Sequence, residues 1–226
     1  MTEKRAKWAL GYRVLGLTVS VGGILLHLLE NRLADTGFMV RHKLAYFTIQ
    51  TNVFCALLFG VLVYRTLRRK PLEVSRVHPE IHLGVTFYIT MTMLGFWLLL
   101  VPATGISWNP VSFAGSMLLH TVTPLMTVGD WLLFGQHGRV EKKSALRWLA
   151  YPAAYLVFVM VYSRTIRTPY YSFRMGGEVI DLMYPYPFLD PSVMGPWGGA
   201  AAAAGLAAVF YLLGRVYVFL DRKLAK

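Results

Sequence analysis

Hydrophobic residues along this chain fall into six long runs separated by short polar stretches. A helix that crosses a bilayer needs about 20 mostly apolar residues. Trp8–Leu29, Leu44–Leu67, Leu83–Ala103, Val111–Phe134, Ala145–Ser163 and Trp197–Leu220 all meet that length. The pattern predicts an all-α, polytopic membrane protein, a six-transmembrane-helix bundle forming a single membrane domain over residues 1–226. Residues 164–196 become its longest connection. The first run is too long for the apolar part of a cleavable leader and lacks a cleavage site, so it is expected to stay as an anchor. There is no internal repeat, and the low-complexity tract is confined to Ala200–Ala204. With Gly198, Gly199 and Gly205 beside it, that tract is expected to let the last helix pack closely.

Composition agrees with the pattern. Of 226 residues, 56% are hydrophobic and 15% charged, and the mean hydropathy is +0.49. The net charge of +12 does not call for a nucleic-acid partner, because the basic residues sit where topology needs them. Lys4, Arg5 and Lys7 precede the first run. Arg65, Arg68, Arg69, Lys70 and Arg76 follow the second, Arg139, Lys142, Lys143 and Arg147 follow the fourth, and Arg215, Arg222, Lys223 and Lys226 close the last. The opposite side holds fewer: Arg32, Arg41, Lys43, Arg164, Arg167 and Arg174. Positive charge marks the cytoplasmic side, so both termini are expected there, as an even number of spans requires. Arg13 is left inside the first span. The single cysteine, Cys55, excludes an internal disulfide. His78 and His82 stand at i and i+4 around Glu80, but the order is not H-E-x-x-H, and Pro79 suits a first helical turn better. No metal or cofactor is expected.

The candidate chemistry lies inside the runs, where an ionisable side chain is costly and usually faces inward for a purpose. The fourth run holds His120, three threonines, Pro124 and Asp130. Pro124 has no N–H, so the carbonyl of His120, four residues back, should lose its helical partner and the helix should kink. Asp130, near a helix C-terminus, opposes the macrodipole and is expected to pair with a cytoplasmic Arg or Lys. His27, with Glu30 and Asn31, reads as a rim group. In the second run Thr48, Thr51, Asn52 and Cys55 recur at helical spacing and make one polar face. By the rise of 1.5 Å per residue, Thr48 lies about 6 Å from Leu44, Thr51 or Asn52 about 11 Å, and His120 about 14 Å from Val111. These groups share the outer half of the bilayer. A hydroxyl beside a His is the minimal nucleophile–base arrangement for acyl transfer, with nearby donors to hold the oxyanion. Gln50, Thr51, Asn52 and Thr121 are candidate donors or substrate-binding groups. Ser116 and Cys55 are rival nucleophiles. No G-x-S-x-G elbow is present. The other class of function is a small transporter or a lipid- or quinone-binding membrane protein using the same seam, which the lack of an internal repeat disfavours.

Three short motifs carry a family resemblance: Tyr46-Phe47-Thr48, His120-Thr121 with Pro124, and Tyr186-Pro187-Phe188-Leu189-Asp190. With them the chain resembles the androgen-induced and androgen-dependent multi-pass membrane proteins, and most closely their bacterial six-transmembrane branch. These are intramembrane threonine hydrolases of fatty acid esters of hydroxy fatty acids. The resemblance implies Thr48 as nucleophile, His120 as its base, and a site shaped by Tyr186 and Asp190. It implies a membrane lipid or fatty acyl ester as substrate, and a bacterial inner membrane location with the site toward the outer leaflet. The residues after Thr48, Ile49-Gln50-Thr51-Asn52, are more polar than the family pattern.

Overall fold

The computed structural model describes residues 3–34, 40–166, 169–175 and 178–225. Six of its helices are long and apolar enough to cross a membrane: Glu3–Leu29, Phe47–Leu67, Pro79–Leu100, Pro110–Phe134, Ser144–Thr165 and Trp197–Leu224. This is the architecture of a multi-pass membrane protein. Leucines and valines face outward on every one of them, as lipid contact requires. The helices are α1 (Glu3–Ala34), α2 (Val40–Leu44), α3 (Phe47–Leu67), α4 (Pro79–Gly95), α5 (Val101–Thr104), α6 (Pro110–Met117), α7 (Thr123–Phe134), α8 (Ser144–Arg147), α9 (Ala150–Thr165) and α10 (Pro191–Leu224). A π turn at Phe96–Leu100 joins α4 to α5, and a second at Leu118–Val122 joins α6 to α7. The long connection is more ordered than an irregular loop. It forms an antiparallel hairpin, β1 (Tyr171–Met175) on β2 (Glu178–Leu182), with Tyr171 opposite Leu182. The expected rim residues Glu30 and Asn31, and Arg167, Tyr171, Phe173 and Arg174 of the long connection, lie outside the residues described at side-chain level.

The first helix is the spine, packing against α3, α6 and α7. Small residues let it approach. The ring of Phe59 occupies the space a Cβ on Gly16 would need, Leu118 and Leu119 crowd Gly23, and the Tyr12 hydroxyl crowds Gly129. Close packing of the last helix is found at Gly214, which meets Ala145, and not at its small-residue tract. A Cβ on Gly199 or Gly205 would meet nothing within 4 Å. Ala200, Ala204 and Gly205 are exposed. That half of α10 turns its small residues outward, and α10 joins the core only from Leu206 and Phe210 onward. Asp190 caps the helix through Ser192 N–H at 2.9 Å, and Gly195, at φ +68°, breaks the chain direction four residues in, which a residue with a Cβ resists.

Asp130 is paired, but by a residue of the first span and not by a cytoplasmic loop. Arg13 Nε donates to Asp130 Oδ1 at 2.7 Å and Nη2 to Oδ2 at 3.2 Å, while His82 Nε2 lies 3.1 Å from Oδ2. Arg13 Nη1 donates to the Ser75 carbonyl at 2.9 Å. Arg13 and Asp130 are wholly buried. This cluster clamps α1, α4, α7 and the α3–α4 connection at one end of the bundle. Glu80 is engaged elsewhere, by Ser144 Oγ at 2.6 Å and Arg147.

Candidate active site

The second polar centre lies ten residues along from Asp130, about 15 Å away by helical rise. Thr48 Oγ1 and His120 Nε2 are 3.3 Å apart. Both residues are buried. The imidazole is fixed from three sides. Its Nδ1 lies 3.0 Å from the Ser116 carbonyl, its face stacks on Phe96 at 3.9 Å with a tilt of 12°, and Nε2 faces Thr48. A carbonyl only accepts, so the neutral ring must carry its proton on Nδ1. That leaves a lone pair on Nε2 for the Thr48 O–H. This is the geometry of a hydroxyl with its general base.

Both partners of that stack occupy π turns, which are often found at functional sites. In the turn around His120, Thr123 N–H bonds back to the Leu118 carbonyl. The next donor in this register would be Pro124, which has none, so the carbonyl left over is that of Leu119, not of His120. Asn52 Nδ2 fills the gap, donating to Leu119 O at 3.2 Å and to Thr48 O at 2.9 Å. Two carbonyl partners fix which atom of the Asn52 amide is nitrogen. They also consume both of its hydrogens, so Asn52 ties α3 to the π turn and keeps no donor for an oxyanion. Its Oδ1 is buried with no partner among the described residues.

The depths read from sequence come together because the helix tops are not level. His120 lies about 15 Å down from Pro110 by helical rise, yet Thr48 is the second residue of α3. The third helix therefore starts well inside the bundle. Ahead of it the chain turns at Ala45 and Tyr46, with Ala45 N–H bonded to His42 O at 3.1 Å. Aromatic residues of the long connection pack against the turn that precedes α3. Tyr170 lies 4.9 Å from the His42 ring and 5.6 Å from Tyr46, and Tyr186 lies 5.8 Å from Tyr46 and stacks on Phe188 at 5.3 Å. Tyr186 is nine-tenths buried in the same cluster as Phe47 and Tyr155, and burial pushes the pKa of its phenol up.

The remaining candidates fall in other places. Thr51 pairs with Thr92 at 2.8 Å. Gln50 accepts from Tyr151 OH at 2.9 Å. Thr121 accepts from Trp97 Nε1 at 3.1 Å. Cys55 is wholly buried, and Ser116 serves His120 through its carbonyl. Asp190 reaches no member of the Thr48–His120 pair. It accepts from Met183 N–H at 3.1 Å and from Ser192. We expect Asp190→Asn to leave ester turnover within a few-fold of wild type, and Asp190→Ala to cost about 1–2 kcal/mol of stability in a chemical melt through the lost cap. Sequence reasoning missed Phe96 and Tyr155. The Tyr155 hydroxyl donates to Ala45 O at 3.0 Å and accepts Phe47 N–H at 3.1 Å, holding the start of α3. A tyrosine inside a span signals a partner in wait, whereas nothing in the sequence marks Phe96. No family profile, curated protein or solved structure matches the chain.

Proposed function

We propose that this protein is an intramembrane lipid ester hydrolase in which Thr48 is the nucleophile and His120 the base. The observation that carries it is the 3.3 Å approach of Thr48 Oγ1 to an imidazole whose other nitrogen is held by a carbonyl. Thr48 Oγ attacks the acyl carbon as His120 Nε2 takes its proton. The tetrahedral intermediate collapses, the ester C–O bond breaks, and His120 returns the proton to the leaving alkoxide. Water, activated by the same nitrogen, then releases the fatty acid and frees Thr48. The resemblance to the androgen-induced and androgen-dependent threonine hydrolases points the same way, since Thr48 and His120 are the two residues it assigns.

The depth of the pair supports a substrate class. A group about 15 Å below the end of a spanning helix lies near the middle of a hydrocarbon core of about 30 Å. An ester at the lipid headgroup does not reach that depth without leaving its leaflet. An ester in the middle of an acyl chain, as in fatty acid esters of hydroxy fatty acids, already lies there. The excess of Lys and Arg at the opposite end favours both termini in the cytoplasm and the hairpin outside. The family resemblance adds a bacterial inner membrane and access from the outer leaflet.

Turnover by detergent-purified protein tests the reading, with free fatty acid measured by mass spectrometry. Mid-chain branched esters should be cleaved at least 10-fold faster than diacylglycerophospholipids. Cleavage of neither, with saturable lipid binding instead, would overturn the hydrolase and favour the binding or transport function.

A further inference from the structure

The end of the bundle away from Thr48 carries a pocket that the Thr48–His120 pair does not use. It measures about 350 Å³ and is lined by Arg69, Glu73, Val74, Arg76 and Gln136. Four of the five belong to the connection between α3 and α4, residues 68–78. Arg69 stands two residues past the end of α3, Arg76 three before α4, and Gln136 two past α7. All three lie just beyond spanning helices, at the depth of lipid headgroups rather than of acyl chains. The wall is held from within. Ser75, between Val74 and Arg76, bonds Thr66 Oγ1 at 2.8 Å and donates to the Leu62 carbonyl at 2.6 Å, and its own carbonyl accepts from Arg13 at 2.9 Å. Arg65 Nη1 donates to the Arg76 carbonyl at 3.2 Å. Val74 is buried in a small apolar cluster with Ala6, Ala9 and Phe134, with Leu72 and Tyr12 packed against it. The pocket thus combines a fixed backbone frame, two guanidinium groups, an amide and an apolar floor.

We propose that this pocket binds the phosphate headgroup of an anionic phospholipid from the leaflet at that end of the bundle. Guanidinium groups grip phosphate oxygens through paired N–H donors, and basic pockets between spanning helices take such headgroups. Gln136 adds an amide donor. Charge complementarity selects the sign of the ligand. The connection carries Arg68, Arg69, Lys70 and Arg76 against one acid, Glu73. Glu73 pairs with Arg69 at 2.9 Å, and both side chains are more than half exposed. A phosphate competes with Glu73 for Arg69, so Glu73 lowers the affinity without closing the pocket. The apolar floor selects a lipid over a soluble phosphate. A free phosphate gains nothing from Val74 and the cluster behind it, whereas the glycerol end of a lipid does. An occupied pocket ties the α3–α4 connection to the end of α7, and so stabilises the same end of the bundle as the Arg13–Asp130 clamp.

The test uses full-length protein in dodecyl maltoside, titrated with dioctanoyl phosphatidylglycerol, dioctanoyl phosphatidylcholine or glycerol phosphate. Bound ligand is counted by native mass spectrometry. Phosphatidylglycerol should bind saturably, and about 10-fold or more tighter than either of the others. Arg69→Gln and Arg76→Gln should each weaken it about 5-fold, the scale of one basic residue beside an anionic lipid. Glu73→Gln should tighten it by a similar factor, because Arg69 is then released to the phosphate. Arg222→Gln, at an exposed basic residue near the end of α10, should bind as wild type does. All four side chains are exposed, so melting temperatures without added lipid should not change. Equal binding of phosphatidylglycerol and phosphatidylcholine would overturn the proposal. So would a loss in Arg222→Gln as large as in Arg69→Gln, which would mean diffuse surface charge, or weaker binding in Glu73→Gln. Glycerol phosphate bound as tightly as the lipid would assign the pocket to a soluble phosphate and overturn the lipid.

Discussion

Thr48→Ala and His120→Ala should each lower the turnover of a fatty acyl ester by about 10³-fold or more, the scale seen when one member of a nucleophile–base unit is removed. Alanine at 48 deletes the attacking oxygen. Alanine at 120 leaves the oxygen in place with no acceptor for its proton, in a site with little water to take over. The two residues act as one unit, so the double variant should be hardly slower than either single one. Thr48→Ser should keep measurable activity, because it preserves the hydroxyl and its bond to Nε2. Thr48→Ala removes little packing, because Thr48 hands its carbonyl, not its side chain, to Asn52, so its melting curve in detergent should stay close to wild type. His120→Ala removes a buried ring that stacks on Phe96, so His120→Gln, which keeps more of the volume, should be equally inactive and melt closer to wild type, separating loss of chemistry from loss of fold. Comparable turnover in both alanine variants would dismiss the pair.

The second large effect is on stability. Asp130→Ala removes the acceptor for Arg13 and His82 and leaves a guanidinium buried without a counter-charge. Breaking a buried pair by removing one partner costs about 3–5 kcal/mol. A chemical melt in detergent should show a loss of that order, and Arg13→Ala should be milder, because His82 still contacts the remaining carboxylate. Replacing both charges with apolar residues of similar size, as in Arg13→Met with Asp130→Leu, should recover most of the loss. The reason is that burying the original charges was itself expensive. Activity in the double variant should survive, since the cluster sits about 15 Å from Thr48 by helical rise. A melting curve for Asp130→Ala indistinguishable from wild type would show that the clamp contributes little.

The six helices were legible because hydrophobic length is a local signal, and each expected run lies within, or within a few residues of, a helix of the structure. The pairing of Arg13 with Asp130 was available in principle. A lone cation in one span and a lone anion in another are costly apart and satisfied together, and depth alone would have matched them. The start of α3 was not legible. The apolar pattern runs through Leu44 without a break, and only the tertiary turn at Ala45–Tyr46 separates α2 from α3. That turn brings Thr48 level with His120, so a depth difference that left Thr48, Thr51 and Asn52 open as partners disappears. The π turns were equally hidden. Pro124 advertises a defect, but a one-residue shift of register depends on packing against Asn52 and Phe96, which are distant in sequence. The small residues of α10 show the converse: composition suited to close packing does not say that a neighbour is present.

The acyl-enzyme itself offers the most direct test. Detergent-purified protein would be mixed with a slowly deacylating p-nitrophenyl decanoate analogue, quenched in acid, digested and sequenced by tandem mass spectrometry. The expected result is a decanoyl mass on the peptide containing Phe47-Thr48-Ile49, localised to Thr48, forming in wild type and absent in His120→Ala. A decanoyl mass on Ser116 or Cys55, or undiminished labelling of Thr48 in His120→Ala, would contradict the nucleophile–base assignment.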